Sequence, residues 1–208
     1  MKGRRLTRRL RRVLLEVRGG GTRLVLVTGR CVKEASRIVG QDLFDVMVAE
    51  NGAVLAFNGF ERRVEPRGWT KVRERLLPQL GRGCEEVIIS AEIGRLATAR
   101  RLIPGQARIE LNKDRFMVLP RGVTKGRGLL MALSTLGLPP KRTACLGDGE
   151  NDVSMFDAVG IRVALNNSVE ELKEKADFVT AKSEGGGAIE AVERLFPRSL
   201  PGARGGRG

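Results

Sequence analysis

Apolar residues recur along this chain at two spacings, and the alternation between them predicts its elements. Over residues 5–18, Leu6, Leu10, Val13, Leu14 and Val17 share one helical face. Arg8, Arg9, Arg11 and Arg12 take the rest of that helix as a solvated surface, and glycines 19–21 end it. Residues 24–27 are apolar and too few for a helix, so they read as a buried strand. The turn Thr28-Gly29-Arg30 follows, then a helix over 32–39 that Gly40 closes. Runs at 45–49 and 53–57 flank Glu50-Asn51-Gly52, where Asn-Gly is a hairpin signal.

From residue 58 the character changes. An edge-like strand at 60–64, a helix over 69–77, a strand at 87–90 and a helical piece over 93–102 come in succession. Paired strands at 109–111 and 116–119 follow, joined by residues 112–114, and Pro66, Pro78, Pro104 and Pro120 punctuate the whole. Lys125 then heads a helix whose apolar face is Leu129, Leu130 and Leu133, stopped by Gly137 and Pro139. A buried strand at 143–146 leads into Gly147-Asp148-Gly149, and Val153, Phe156 and Val159 place a helix start near Asp152. A strand at 161–165, a helix over 169–175, a strand at 178–179 and a helix over 188–196 complete the pattern. The Pro-, Gly- and Arg-rich tail from 197 to 208 is expected to be disordered. Strand–turn–helix units on both sides of a strand-rich segment predict an α/β, Rossmann-like parallel sheet from residues 1–57 and 120–196. A small α+β insert over 58–119 lies between the two halves.

Composition narrows the chemistry. The chain has no His, which removes imidazole catalysis and His metal ligands and leaves carboxylates and Lys. Cys31, Cys84 and Cys145 show no CxxC spacing, so neither a zinc site nor a disulfide is expected. No apolar run reaches the roughly 18 residues of a membrane span, and the Arg-rich start lacks the apolar core of a signal peptide. A cytoplasmic protein with no membrane partner is expected. The net charge of +14 fits nucleic acid, and it equally fits an Arg-rich surface that draws anionic substrates. Aromatics at 4% and the absence of Tyr argue against a base-stacking platform.

The candidate chemistry sits where strands end. Asp148, Asn151 and Asp152 form a hard oxygen set suited to Mg2+; a turn aspartate and a helix N-cap account for the same residues. In a parallel sheet Thr28 and Asp148 lie on one edge, and the Thr28 hydroxyl with nearby backbone N–H groups makes a phosphate cradle. Such a turn also ends many ordinary strands. Lys125 stands at the positive end of a helix dipole, which points to an anionic partner or to a solvated ammonium.

Five segments occur in order: LVLVTGR, AENGAVL, VTKGRGLLMAL, CLGDGENDVSMFDAVG and VALNNSVEELKEKADFVT. Together they resemble the haloacid dehalogenase superfamily of phosphatases, in the Cof-type branch with archaeal phosphoglycolate phosphatases. The resemblance implies hydrolysis of a small phosphorylated metabolite, phosphoglycolate or a sugar phosphate. It implies that Thr28, with Gly29 and Arg30, binds the phosphoryl group and that Lys125 neutralises it. Asp148 and Asp152 would hold Mg2+, Asn151 would support them, Asn167 would touch the phosphate site, and the insert would be the substrate-selecting cap. Family members begin with a strand ending in DxDGT, whose first Asp attacks phosphorus. The first Asp here is Asp42, so that nucleophile is not among these residues. The reading is therefore of a chain whose full product starts about a dozen residues upstream, one strand and a turn. A non-catalytic phosphate-binding relative and a basic nucleic-acid-binding protein are the alternatives. The oligomeric state is not readable.

Overall fold

The computed structural model describes residues 6–40, 42–112 and 115–197; the joint at 113–114 and the basic tail from 198 lie outside them. The first half runs α1 (Arg8–Gly19), β1 (Val25–Val27), α2 (Val32–Val39), β2 (Val46–Ala49), β3 (Val54–Phe57) and β4 (Phe60–Arg63). The middle holds α3 (Trp69–Leu80), β5 (Ile89–Glu92), α4 (Leu96–Leu102), β6 (Ala107–Asn112) and β7 (Arg115–Pro120). The second half runs α5 (Lys125–Leu136), β8 (Ala144–Gly147), α6 (Val153–Phe156), β9 (Ile161–Ala164), α7 (Glu170–Lys175), β10 (Phe178–Val179) and α8 (Glu184–Leu195).

Threonine side chains cap two of the helices. The Thr7 side chain accepts the Leu10 N–H at 3.2 Å to start α1, and Thr124 accepts the Arg127 N–H at 3.1 Å to start α5. The apolar face of α1 (Leu10, Val13, Val17) buries against Ile189 and Val192 of α8. On its polar face Arg9 and Arg11 pair with Glu193 and Asp42. Helix α8 begins at Glu184, earlier than its apolar periodicity starts, and takes glycines 185–187 into its first turn.

Three sheets result. The first has the order β1-β2-β3-β4, with β1 parallel to β2 and the other pairs antiparallel. The second, β10-β9-β8, is wholly parallel, and the third, β5-β7-β6, is antiparallel. Strands β1 and β8 are each the last in their sheet, and among the described residues no strand pairs with their outer edges. Val25 and Val27 nonetheless share an apolar cluster with Cys145 of β8 and with Leu129 and Leu133 of α5. The two sheets are thus parts of one α/β core around α5, with the α+β insert between its halves.

Two features differ from the sequence reading. Residues 60–64, grouped above with the insert, place β4 on the edge of the first sheet, registered against β3 from Phe57↔Phe60 to Val54↔Arg63. The insert's own sheet is covered by α3 and α4 through Trp69, Leu76, Ala99, Phe116 and Val118, and the buried Trp69 indole donates to the Val87 carbonyl at 2.8 Å. The cysteines correct a second expectation: Cys31 and Cys84 form a disulfide, with their Cα atoms 6.1 Å apart. They lie 53 residues apart in sequence, and only the packing of the insert against the start of α2 brings them together. No local spacing could announce that.

Candidate active site

The site is built around one buried ammonium. Lys125 Nζ donates to Asp152 Oδ1 at 2.6 Å and to Asn151 Oδ1 at 3.0 Å. The two charged side chains are 10% and 6% exposed. The positive end of α5 disfavours a cation, and burial disfavours any charge, so Lys125 depends on Asp152 for its place. The second Asp152 oxygen accepts the backbone N–H groups of Asp148 at 2.9 Å and Gly149 at 3.1 Å, which fixes the turn after β8. An ammonium has three N–H groups. Two are used here, and the third has no acceptor among the described residues.

Missing side chains bring α5 this close. A Cβ at Gly126 would overlap the Ser154 carbonyl, and a Cβ at Gly52, whose φ is +99°, would overlap the Thr124 carbonyl. The head of α5 is thereby wedged between the turn after β2 and the turn after β8.

The turn after β2 holds two residues that local sequence marks as a hairpin connection. Glu50 and Asn51 both have positive φ, 53° and 56°, and both are 1% exposed. The Glu50 carboxylate accepts three successive backbone N–H groups of the insert: Glu86 at 2.7 Å, Val87 at 2.8 Å and Ile88 at 3.1 Å. Burial pushes its pKa above the ordinary 4.5, and the three donors offset that only in part. Asn51 Nδ2 donates to Glu110 Oε2 on β6 at 2.9 Å, and its Oδ1 accepts from Asn151 at 3.4 Å. Glu110 is in turn paired with Arg108. A polar chain thus runs from the insert to Lys125. Glu-Asn-Gly reads as an ordinary exposed turn in sequence, and only burial distinguishes it.

The remaining candidates fall around this centre. Thr28 Oγ1 accepts the Arg30 N–H at 3.2 Å, and the Thr28 carbonyl accepts the Asn51 N–H at 3.0 Å. Gly29 lies against Asn51, with room for a Cβ only 3.0 Å from Asn51 Oδ1. The Thr28 loop therefore meets Lys125 through Asn51 and Asn151. The Arg30 guanidinium lies 3.8 Å from Glu34. Asn167 donates to Asp148 Oδ2 at 3.3 Å and accepts the Glu184 N–H at 3.0 Å.

The two motif aspartates are not equivalent as metal ligands. Asp148 is exposed, and among the described residues only Asn167 bonds its carboxylate. Both Asp152 oxygens are committed to Lys125 and the turn. One open carboxylate on a polar turn fits Mg2+, which keeps several waters and takes phosphate oxygens as further ligands. A second grouping of metal-type donors, Cys31, Glu34 and Cys84, has its two sulfurs joined to each other. Cys145 is no nucleophile: burial, then the nearby Asp152 charge, pushes its thiol up to about 12.

Residues 91–192 match the family model of the haloacid dehalogenase-like hydrolases. The chain is 30% identical to phosphoglycolate phosphatase 2 of Saccharolobus solfataricus over 185 residues, covering 84% of this chain and 77% of that protein. It is 31% identical to the phosphoglycolate phosphatase of Archaeoglobus fulgidus over 187 residues, covering 83% and 82%. Among solved structures it is similar to Thermoplasma acidophilum 0175, with TM-score 0.73, 17% identity and coverage of 93% and 89%. It is also similar to the subclass IIB sugar phosphatase BT4131, with TM-score 0.72, 19% identity and 92% of each chain covered.

Proposed function

The chain belongs to the haloacid dehalogenase-like hydrolases, within the phosphatases of that superfamily, and on that premise we propose that it binds the phosphoryl group of a small metabolite at Lys125. The observation that carries this reading is the third N–H of a buried ammonium, left without an acceptor among the described residues beside a polar turn. Phosphoglycolate is the first substrate to test, because relatives that align over most of their length are named for it; a sugar phosphate is the second. A cytoplasmic location goes with this reading, and no helix among the described residues is long and apolar enough to cross a membrane.

Each residue has a part that its bonding allows. Thr28 Oγ1 already accepts an N–H from Arg30, so its own hydrogen is free to donate to a phosphoryl oxygen. Lys125 donates to a second oxygen and offsets its charge. Asp152 holds the ammonium in place, and Asn151 fixes its direction. Asp148, oriented by Asn167, would hold Mg2+, which supplies charge neutralisation at the phosphate.

Hydrolysis by the family's route also needs an aspartate free to attack phosphorus, and among the described residues the aspartate beside Lys125, Asp152, has both oxygens committed. We propose that such an aspartate comes on a strand paired between β1 and β8, whose outer edges flank the site. Calorimetry with orthophosphate and hydrolysis of phosphoglycolate and sugar phosphates with Mg2+ test the two parts separately. Orthophosphate should bind the 208-residue chain, and Lys125→Ala should abolish binding. Turnover should require an added N-terminal strand bearing Asp-x-Asp. Binding unchanged in Lys125→Ala would refute the site; binding without turnover in the extended chain would favour a non-catalytic phosphate-binding protein.

A further inference from the structure

Two linkers join the insert to the core, one ahead of α3 and one after β7, and the Cys31–Cys84 bond is a third connection. Cys31 caps the start of α2, directly after Arg30 in the loop that begins at Thr28, and is 2% exposed. Cys84 is exposed on the insert, two residues before the first N–H that Glu50 holds. The bond therefore ties the Thr28 loop to the segment through which the insert is clamped on the core. In a reducing cytoplasm a disulfide commonly serves as a redox device, the disulfide-rich interiors of hyperthermophiles being the exception.

We propose that Cys31–Cys84 is a reducible latch, opened by a dithiol reductant, whose state sets how freely the insert moves over Lys125. The latch rests on the cytoplasmic location proposed above, and on the phosphate reading only for its functional readout. Attack is one-sided because only Cys84 is exposed. A reductant thiolate bonds to Cys84 Sγ, the S–S bond breaks, and the electron pair leaves on Cys31 Sγ. The Glu34 N–H already points at that sulfur at 3.5 Å and remains to stabilise the departing thiolate. The second reductant thiol gives up its proton and attacks its partner sulfur in the mixed disulfide, which releases Cys84. The reductant departs as its own disulfide, and its two protons pass to Cys31 and Cys84. Cys145 is buried and does not exchange. Both linkers and the Glu50 clamp persist after reduction, so the fold survives while the insert loosens.

The test uses the whole chain, purified without reductant. Alkylation after denaturation should find one thiol before dithiothreitol treatment and three after it, because the chain has three cysteines and one of them is free. Under native conditions the reduced protein should be cut by trypsin within the insert, and should exchange orthophosphate, several-fold faster than the oxidised one. Cys84→Ser should behave as the reduced protein whether or not an oxidant is present, whereas oxidant should restore the slow behaviour of the unaltered chain. Three thiols before reduction, or equal cutting and exchange in both states, would overturn the latch. Release of one metal ion per chain on alkylation would also overturn it, since Glu34 lies near enough to both sulfurs to complete a thiolate metal site instead. If orthophosphate binds in neither state, the phosphate reading fails and the cutting pattern alone decides the latch.

Discussion

Two turns meet at the head of α5, and they are built on one plan. Glu50-Asn51 follows β2 and Asn151-Asp152 follows β8; the two Asn side chains touch, and each turn buries a carboxylate that gathers backbone N–H groups. They differ in counter-charge. Asp152 has Lys125 at 2.6 Å, whereas among the described residues no Lys or Arg pairs with Glu50. In the proposed function, the first arrangement keeps a buried cation for an anionic ligand. The second spends its charge on three amides and holds the insert in place. The backbones differ, left-handed at Glu50 and Asn51 and right-handed at Asp152, yet each turn gathers backbone N–H groups on one buried carboxylate.

Removing the cation should break this contrast most strongly. Lys125→Met leaves Asp152 buried and unpaired, at an expected cost of about 3–5 kcal/mol in urea unfolding, with orthophosphate binding lost. Adding Asp152→Asn, which removes the unpaired charge and keeps an oxygen for the Asp148 and Gly149 N–H groups, should restore much of the stability and none of the binding. A cost below about 1 kcal/mol for Lys125→Met would mean that the pair behaves as a surface ion pair, and the distinction between the turns would fall.

What the sequence made legible follows the same division. Lys125, Asn151 and Asp152 stand at strand ends and a helix head, where residue type and spacing point to charge chemistry, and the structure brings them within hydrogen-bond reach. Glu50 and Asn51 carry no such mark, because their role comes from burial under an insert whose packing is non-local. The Cys31–Cys84 pairing was hidden for the same reason. The helix expected from Asp152 onward is one turn long, Val153–Phe156, because the chain turns back at Gly160, where a Cβ would overlap the Lys141 carbonyl. Apolar spacing reports which face is buried and says nothing of such a close backbone approach.

Glu50→Ala is the next largest test and should act on the insert. It orphans three N–H groups, two of them on the buried Val87 and Ile88. The expected loss is about 3 kcal/mol, since each buried orphan costs about 1–3 kcal/mol. Hydrogen exchange should accelerate first at the Val87 and Ile88 amides, with phosphate binding retained. Uniform acceleration through α5 and β8 would show that the clamp supports the whole core.

The bridging amides should separate the two roles at lower cost. Asn51→Ala removes the bonds to Glu110 and Asn151 and should destabilise by about 1–2 kcal/mol while loosening the insert. Asn151→Ala removes a Lys125 partner, so weaker phosphate binding should exceed its effect on stability, as calorimetry beside urea unfolding would measure. Equal effects of the two changes on binding would mean that the Asn pair acts as one unit.

The smallest effect is a difference in sign with pH. The folded pKa of Glu50 lies above its ordinary 4.5, so the native state holds that proton more tightly than the unfolded chain does. Raising the pH from 4.5 through the folded value therefore costs stability, and above that value the contribution is flat. Asp45 runs the other way. Burial pulls its pKa up, but the Leu24 N–H, Arg23 and Arg18 together hold it below the ordinary 3.8. Its contribution is whole above 3.8 and is lost as the pH falls through its folded value. Urea unfolding at a series of pH values should show Glu50→Gln removing a decline above 4.5, and Asp45→Asn removing a loss below 3.8. If Glu50→Gln instead removed a loss on the acid side, its three N–H donors would outweigh burial, and the buried turn after β2 would favour the charged form of Glu50.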